Sequence, residues 1–275
     1  MITSLLVAID LSGKPSFPVE RAFQLMRQHA CPLILLHVID PATSSLLINR
    51  RLGEAHQALD SFLTALPAED RDRVTTRIVL GTPHWEIGRQ ARHHRGDLIV
   101  LGMHQHRGSR ALLIGSTMEG LVRESGYPVL VVTSAPRGEY EKLLVGVDFS
   151  FFSRLALRKA LAIAPGAGLT IIHAHDPAST DDPAVIGQRL RDFILRELDM
   201  IYPVDEADAV ARNIDIRLYP GDPKTVLRAE IEVLRPDLLV IGTHGQPGLP
   251  HSRLGSLAID FLNDPPCDVL AVKGW

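Results

Sequence analysis

A glycine-rich loop in the second half of the chain has residue types and a spacing that suit phosphate chemistry. The loop begins at Gly242-Thr243-His244-Gly245 and ends at Gly255-Ser256, which gives the spacing G-x2-G-x9-G-S. A glycine after a strand lets the backbone approach a ligand, because it has no Cβ. A Gly-Ser pair that opens a helix offers unpaired N–H groups, a hydroxyl and the positive end of the helix dipole. The alternative is that the glycines serve tight turns and that Ser256 is only a helix N-cap.

Two aspartates end the apolar runs that we predict to be the first strand of each half of the chain. They are Asp10 and Asp148, and a serine follows each of them two positions later. At the switch point of a doubly wound sheet such an aspartate faces the loop after the fourth strand. Its carboxylate could accept a hydrogen bond from the exocyclic amine of adenine. The alternative is an Asx turn or a cap for the next helix.

Histidines recur near the ends of the predicted second strands and in two short clusters. His37 and His173 are interpreted as core or turn residues, and the next residues, Val38 and Ala174, as surfaces on which a base could pack. His93-His94 and His104-x-His106 are not accompanied by a third ligand at a recognisable spacing. The sequence therefore predicts no metal site.

The elements that must position these residues alternate regularly. Short runs rich in Val, Ile and Leu indicate buried parallel strands, and amphipathic stretches between them indicate covering helices. The predicted strands are 5–9, 33–39, 74–80, 98–101, 129–132, 143–147, 169–174, 214–219, 238–241 and 269–272. The predicted helices are 18–29, 47–65, 85–94, 116–124, 153–164, 184–202, 223–234 and 256–262. This pattern predicts an α/β fold with two tandem doubly wound domains, each a five-stranded parallel sheet in the order 3-2-1-4-5.

An internal repeat independently predicts the same two domains. Residues 97–133 recur from Asp237 with an offset of 140 positions, which is far longer than the roughly 20 to 50 residues of a solenoid unit. We expect domains at 1–134 and 142–275, joined by a short polar linker. One difference between the copies falls in the loop, where Gln105 stands at the position of Gly245.

The composition excludes several functional classes. The formal net charge is −3, so no basic field points to nucleic acid or to an anionic membrane. The start of the chain lacks the features of a signal peptide, and no apolar run reaches the length of a membrane span. The two cysteines lie at unrelated positions of the two copies, which does not suggest a disulfide. The sequence therefore predicts a soluble, cytoplasmic protein.

In combination, these motifs resemble those of a tandem universal stress protein. The shared features are the aspartates after the first strands, the run Leu36-His37-Val38-Ile39-Asp40-Pro41, Gly221-Asp222-Pro223 and the G-x2-G-x9-G-S loop. The resemblance implies the fold of the adenine nucleotide alpha hydrolases and a role in stress response or signalling. One branch of the family binds ATP through this loop, and another branch lacks the loop and does not.

The resemblance also implies which residues hold the nucleotide. In the second copy, Asp148 and Ala174 would contact adenine, Gly242, Thr243 and His244 would lie near the ribose and phosphates, and Gly245, Gly255, Ser256 and Leu257 would cradle the phosphates. The matching positions in the first copy are Asp10, Val38, Gly102, His104, Gln105, Gly115, Ser116 and Thr117. Because Gln105 adds a side chain where the backbone should approach the phosphates, we expect ATP mainly in the second copy. Arg253 is the one cation of the loop, which makes Mg2+ a candidate counter-ion.

Three functional hypotheses follow. The first is an ATP-binding stress-response protein without a catalytic residue set, capable at most of slow ATP hydrolysis. The second is a nucleotide-independent scaffold, in which strands 129–132 and 269–272 pair as an intramolecular pseudo-dimer. A homodimer of the whole chain is also possible under this hypothesis. A further alternative is that the first copy binds another small ligand. The third, an adenylating ligase or ATP pyrophosphatase, is disfavoured because the expected glycine and serine-rich loop does not follow the first strands. Protein partners are not identified by the sequence.

Overall fold

Alternating strands and helices build each half of the chain. The computed structural model describes residues 1–11, 16–41, 45–103, 111–178, 180–243 and 255–273. The chain divides into a first unit, Met1–Glu139, and a second unit, Tyr140–Trp275. Each unit contains its own parallel sheet, and the two are described in turn.

The first unit is a five-stranded parallel sheet with helices between its strands. Its elements are β1 (Leu5–Ala8), α1 (Phe17–His29), β2 (Leu33–Ile39), α2 (Ser45–Ala65), α3 (Ala68–Arg71), β3 (Val74–Leu80), α4 (Pro83–His93), β4 (Leu98–Gly102), α5 (Ala111–Glu124) and β5 (Val129–Val132). The strand order is β3-β2-β1-β4-β5, and all neighbours are parallel. The predicted order 3-2-1-4-5 is confirmed.

The second unit repeats this plan. Its elements are β6 (Lys142–Gly146), α6 (Phe151–Ile163), β7 (Gly168–His175), α7 (Pro183–Asp199), α8 (Val204–Arg212), β8 (Ile214–Pro220), α9 (Pro223–Leu234), β9 (Leu238–Gly242), α10 (Ser256–Asn263) and β10 (Asp268–Val272). Its strands follow the order β8-β7-β6-β9-β10, again parallel throughout. The α/β class and the doubly wound topology predicted from the sequence are therefore confirmed.

The central strands are apolar because both of their faces are covered. Leu98, Ile99 and Val100 in β4 are completely buried, and so are Leu238 and Val240 in β9. Most residues of the outer strands β3 and β8 are instead half-buried or exposed. Such a gradient is typical of a parallel sheet packed between two layers of helices.

An aspartate at the start of the fourth strand fixes the entry to the first strand in both units. The Asp237 carboxylate accepts hydrogen bonds from the backbone N–H groups of Glu141 and Lys142, both at 2.9 Å. The Asp97 carboxylate accepts from the backbone N–H of Thr3 at 2.7 Å and from the hydroxyl of the same residue. These bonds satisfy strand-entry N–H groups that would otherwise lack a partner. They explain why the repeat begins at an aspartate.

The largest differences from the sequence prediction concern three helices. The short helices α3 and α8 were not predicted, and each follows a proline, Pro67 or Pro203, that ends one helix and starts the next. Four or nine residues are too few for a clear helical periodicity. Helix α5 begins at Ala111 rather than at Ser116, because Ala and Leu are strong helix formers and extend the helix N-terminally.

Candidate functional site

A cavity of about 280 Å³ lies at the carboxyl ends of β6 and β9 in the second unit. Within the sheet, β6 lies between β7 on one side and β9 on the other. The strand order therefore reverses at β6, and the cavity occupies this switch point, where open parallel sheets bind ligands. Polar groups line it at Asp148, Ser153, Thr243 and Ser256. Its remaining walls are apolar or backbone, so the cavity suits a ligand with an apolar body and a few hydrogen-bonding groups.

Most residues predicted for the second-copy site line this one cavity. They are Asp148, Ala174, Gly242, Thr243, Gly255, Ser256 and Leu257. His244 and Gly245 lie outside the described residues. The structure thus brings together residues that come from β6, β7, β9 and the start of α10.

Asp148 lies in a tight turn between β6 and α6. Its Oδ1 accepts a hydrogen bond from the backbone N–H of Ser150 at 3.0 Å, and the Ser150 hydroxyl in turn caps α6 by accepting from the N–H of Ser153 at 3.1 Å. The Asx turn that competed with ligand binding is therefore present. It engages one carboxylate oxygen, and Oδ2 has no hydrogen-bond partner among the residues that the structure describes. The turn and a ligand contact are compatible.

Phe149, in the middle of this turn, has an unusual backbone conformation. Its φ is +63°, in the left-handed region that bulky residues rarely adopt. The ring lies 4.5 Å from the ring of His173 and 5.7 Å from that of Phe193, and the Arg189 guanidinium lies 4.6 Å from its centre. Packing on three sides offsets the conformational cost and holds Asp148 at the cavity.

A buried histidine ties β7 to the backbone beside Asp148. His173 is 8% exposed, and its Nδ1 lies 2.7 Å from the carbonyl oxygen of Val147. Since a carbonyl can only accept, Nδ1 carries the proton. Burial lowers the pKa of His173, which favours the neutral ring. His37 makes the equivalent bond to Ile9 in the first unit, at 3.0 Å, so both histidines have the structural role predicted for them.

Gly242 has a packing role that the sequence analysis did not predict. A Cβ at this position would lie 2.8 Å from the carbonyl carbon of Phe152 and 3.0 Å from the nitrogen of Ser153, both in the first turn of α6. In the first unit, a Cβ at Gly102 would lie 2.6 Å from Cγ of Pro18 in α1. Each glycine is therefore required by a helix that crosses the end of the fourth strand, whether or not a ligand is bound.

The start of α10 presents backbone donors to the cavity. Gly255 is the N-cap and has no side chain, whereas Ser150, Asp182 and Asp222 cap α6, α7 and α9 through side-chain oxygens. In the described part of the chain, the N–H groups of residues 256–258 have no acceptor. These three residues line the cavity. The arrangement suits an anion, because it combines unpaired N–H groups with the positive end of the helix dipole.

The two ends of the glycine-rich loop are joined at its base. The N–H of Gly255 donates to the carbonyl of Thr243 at 2.8 Å, and the N–H of Thr243 donates to the carbonyl of Val272 at 3.0 Å. Thr243 is completely buried. Both ends of the loop are therefore anchored to the sheet, which fixes the position of α10 relative to β9.

Much of the apolar lining of this cavity was not predicted from the sequence. Pro223 and Leu227 of α9 form part of it, together with Ile241 and Ala258. Pro223 and Leu227 are four residues apart and lie on one face of α9. That spacing, next to the Gly-Asp-Pro run, was the signal that could have found them.

The first unit has a cavity at the equivalent place, with a volume of about 250 Å³. Three of the predicted first-copy residues, Asp10, Val38 and Gly102, line it. Gly115, Ser116 and Thr117 lie inside α5 rather than at its start. His104 and Gln105 lie outside the described residues. The start of a helix that contributes to the second-unit cavity is thus displaced in the first unit.

Comparison with known proteins decides the family. A model of the universal stress protein family matches the chain twice, over residues 1–133 and 139–273. The chain belongs to the universal stress protein family. It carries the family domain as a tandem repeat, as the sequence resemblance predicted.

Similar proteins include some that match half of this universal stress protein and some that match nearly all of it. A putative universal stress protein of Staphylococcus epidermidis is 28% identical over 140 residues, which cover 49% of this chain and 84% of the relative. A universal stress protein structure from Archaeoglobus fulgidus is 19% identical with a TM-score of 0.71, and covers 98% of both chains. The structure of a putative universal stress protein from Pseudomonas aeruginosa is 21% identical with a TM-score of 0.66, and covers 99% of this chain and 93% of the other. At sequence identities this low, similarity to the solved structures shows a shared fold and nothing more.

The described residues of this universal stress protein lack two further features. No helix there is long and apolar enough to cross a membrane. Nor do those residues contain a group of three or more His, Cys, Asp or Glu side chains able to hold a metal ion.

We predict that Gly242→Ala destabilises the second unit. The added methyl group would overlap the backbone of α6, and overpacking of this kind costs about 1 to 3 kcal/mol. Chemical denaturation followed by circular dichroism measures the change. The matched control is Gly166→Ala in the same unit, where an added Cβ meets no atom within 4 Å. Equal stability of the two variants would contradict the packing role.

We predict that His173 makes the second unit less stable in mild acid. The folded state lowers the pKa of this group below its ordinary 6.5, so the unfolded chain binds more protons. Its contribution is complete above pH 6.5 and is lost as the pH falls below that value. His173→Asn keeps a donor for Val147 but does not titrate. Its unfolding free energy should therefore decrease less than that of wild type between pH 7 and pH 5, and an equal decrease would contradict the role of His173.

Proposed function

We propose that the second unit binds ATP and that its nucleotide state serves stress-response signalling. The observation that carries the proposal is the uncapped start of α10, which directs the N–H groups of Ser256, Leu257 and Ala258 into a cavity at the sheet's switch point. Phosphate is the anion that this kind of helix start commonly binds in α/β folds. Membership of a family with an ATP-binding branch supports the same ligand.

The other end of the cavity supports recognition of the base. Asp148 supplies a carboxylate that can accept from the exocyclic amine of adenine, and Ala174 leaves room for a ring beside it. Leu227 and Val147 give apolar contact on the walls. An acceptor at one end and donors at the other match a nucleotide, whose base carries an amine and whose phosphates carry negative charge.

The energetics allow a sensor of moderate affinity. A hydrogen bond to a charged group contributes about 1.5 to 3 kcal/mol net. Three of these, with burial of the base, offset an association cost of roughly 4 to 15 kcal/mol and leave about micromolar binding. The described lining contains no Lys or Arg. We therefore propose that Mg2+ accompanies the phosphates, held mainly by the nucleotide as this ion commonly is.

The proposed activity is binding rather than dedicated catalysis. The described lining has one carboxylate, Asp148, and its proposed place is at the base, far along the nucleotide from the terminal phosphate. Hydrolysis needs a group that activates water beside that phosphate. The described residues around Ser256 supply hydroxyl and N–H donors, which stabilise charge but do not take a proton from water.

We predict that Gly255→Asp abolishes ATP binding while stabilising the protein. The backbone at this position, φ −64° and ψ 145°, accepts any L-residue, and aspartate is a preferred N-cap. Its carboxylate would occupy the N–H groups proposed for the phosphates and would repel an anion. In the absence of nucleotide the free energy of unfolding of the variant should exceed that of wild type by roughly a few tenths of a kcal/mol, because aspartate is only that much better than glycine as an N-cap.

The readout is the shift of the thermal transition with ATP and Mg2+. Wild type should show a shift, and Gly255→Asp should show none. Gly255→Ala, which adds no acceptor, should keep most of it. Gly255→Asp is expected to raise the stability of the protein without nucleotide and to remove the shift caused by ATP. A variant that merely failed to fold would lose both, so it could not give this result. An unchanged ATP shift in Gly255→Asp would refute the phosphate role of α10.

We also predict one equivalent of nucleotide per chain in protein purified rapidly without added ligand. Denaturation followed by mass spectrometry of the released small molecules measures both identity and amount. We expect one equivalent because α10 begins at Ser256, beside the second-unit cavity, whereas α5 begins at Ala111, ahead of the matching Ser116. Two equivalents of nucleotide would show that the first unit binds it too.

A further inference from the structure

Two ion pairs join α9 to α10 beside the second-unit cavity. The Nζ atom of Lys224 lies 2.7 Å from Oδ2 of Asp260, and Nη2 of Arg228 lies 3.1 Å from Oδ2 of Asp264. The two cations are four residues apart on α9, and the two carboxylates are four residues apart along α10 and its C-cap. Residues at this spacing lie on one face of a helix. The two helices therefore meet through faces of opposite charge.

The pair formed by Lys224 is the one nearer to the cavity. Lys224 directly follows Pro223, and Asp260 follows Ser256 by four residues, and both Pro223 and Ser256 line the cavity. Four residues correspond to about one helical turn, a rise of about 6 Å. An ammonium group held at Asp260 is thus about one turn away from the start of α10. The flexible four-carbon stem of lysine can cover such a distance.

The ion pair of Lys224 can open at little cost. The side chains of Lys224 and Asp260 are 44% and 36% exposed, and exposed ion pairs contribute little to stability. A second acid, Asp222, stands two residues before Lys224. It caps α9, because its Oδ2 accepts from the N–H of Thr225 at 2.9 Å and from the hydroxyl of that residue at 3.0 Å. The ammonium is therefore held at Asp260 by a contact that a stronger anion can replace.

The equivalent position in the first unit carries a different side chain. With the offset of 140, His84 stands at the position of Lys224 and Gly120 at that of Asp260. A Cβ added at Gly120 would lie 3.2 Å from Cγ of His84, so this imidazole also faces the helix after the fourth strand. The location of the side chain is common to both units. The lysine occurs in the unit that we propose to bind the phosphates.

We propose that Lys224 is a phosphate-binding residue of the second-unit site. Its ammonium group leaves Asp260 and binds the phosphate chain of the nucleotide at the start of α10. The chain carries more negative charge than one carboxylate, and its oxygens accept charge-assisted hydrogen bonds from an ammonium. Asp260 keeps the ammonium beside the cavity while no nucleotide is bound. The role of Lys224 rests on the proposed function, because it adds a residue to the same site.

The test measures the Kd of ATP with Mg2+ by isothermal titration calorimetry, on the full chain from which bound nucleotide has been removed. Lys224→Gln, which keeps part of the stem but not the charge, should raise the Kd about tenfold, since the lost hydrogen bond is to a charged group. Lys224→Arg, which restores a cation, should keep most of the affinity. The Kd of Lys224→Gln should also depend less on salt concentration than that of wild type, because one cation–phosphate contact is lost.

Arg228→Gln is the matched control. It removes the other cation that joins the two helices, but its partner Asp264 lies at the opposite end of α10 from Ser256. The Arg228 guanidinium also lies 5.1 Å from the ring centre of Phe261, which holds it in place. The Kd of this variant for ATP should equal that of wild type.

Asp260→Asn tests the other partner of the pair and should act in the opposite direction. It removes the carboxylate that competes with the phosphates for Lys224. The Kd for ATP should therefore fall about two- to fivefold, the range that an exposed ion pair accounts for.

An unchanged ATP Kd in Lys224→Gln, or an equal loss of affinity in Arg228→Gln, would overturn the role of Lys224. So would weaker ATP binding by Asp260→Asn. The proposed function would survive each of these results, provided that wild type binds ATP and Gly255→Asp does not. A wild-type chain that fails to bind ATP would instead refute the proposed function, and the role of Lys224 with it.

Discussion

Each unit depends on one close approach, in which the helix after the first strand crosses the end of the fourth strand at a residue without a Cβ. Gly102 meets Pro18 in this way, and Gly242 meets Phe152 and Ser153. The contact brings the end of the first strand and the end of the fourth strand to opposite sides of one crevice. The aspartate after the first strand and the residues after the fourth then share a cavity in both units. A bulkier residue at the glycine would separate the two strands' ends and open the crevice.

The two units share this arrangement of strand ends and glycine, but the residues around the cavity differ between them. Ala174 and Ala258 in the second unit stand opposite Val38 and Met118 in the first, so the walls differ in shape. The larger difference is the start of the helix after the fourth strand. Helix α10 starts at the cavity behind an uncapped glycine, whereas α5 has already begun. One fold thereby presents an uncapped helix start to the cavity in one copy and a mainly apolar described lining in the other.

The sequence predicted the strands well because buried parallel strands read as unbroken apolar runs. The bounds of β2, β3 and β5 agree with the prediction at both ends, and the order of each sheet follows from the alternation of elements. Both predicted aspartates line the cavities, and so do Gly102, Gly242 and Gly255. The packing role of Gly242 could not be predicted, because the atoms that exclude its Cβ belong to residues about 90 positions earlier. The predicted start of α5 was wrong for a different, local reason: helix-forming residues before the Gly-Ser pair extend the helix towards its N-terminus.

His37 and His173 show which part of the site is common to both units. His37 and His173 both bond to the carbonyl that precedes the aspartate, although the cavities beside them differ. The position of the carboxylate is therefore set by β1 and β2, or by β6 and β7, before any ligand is considered. An acceptor at this place is common to both units and cannot by itself select a ligand. Selectivity must come from the donors on the other side of the crevice, and those depend on where the helix after the fourth strand begins.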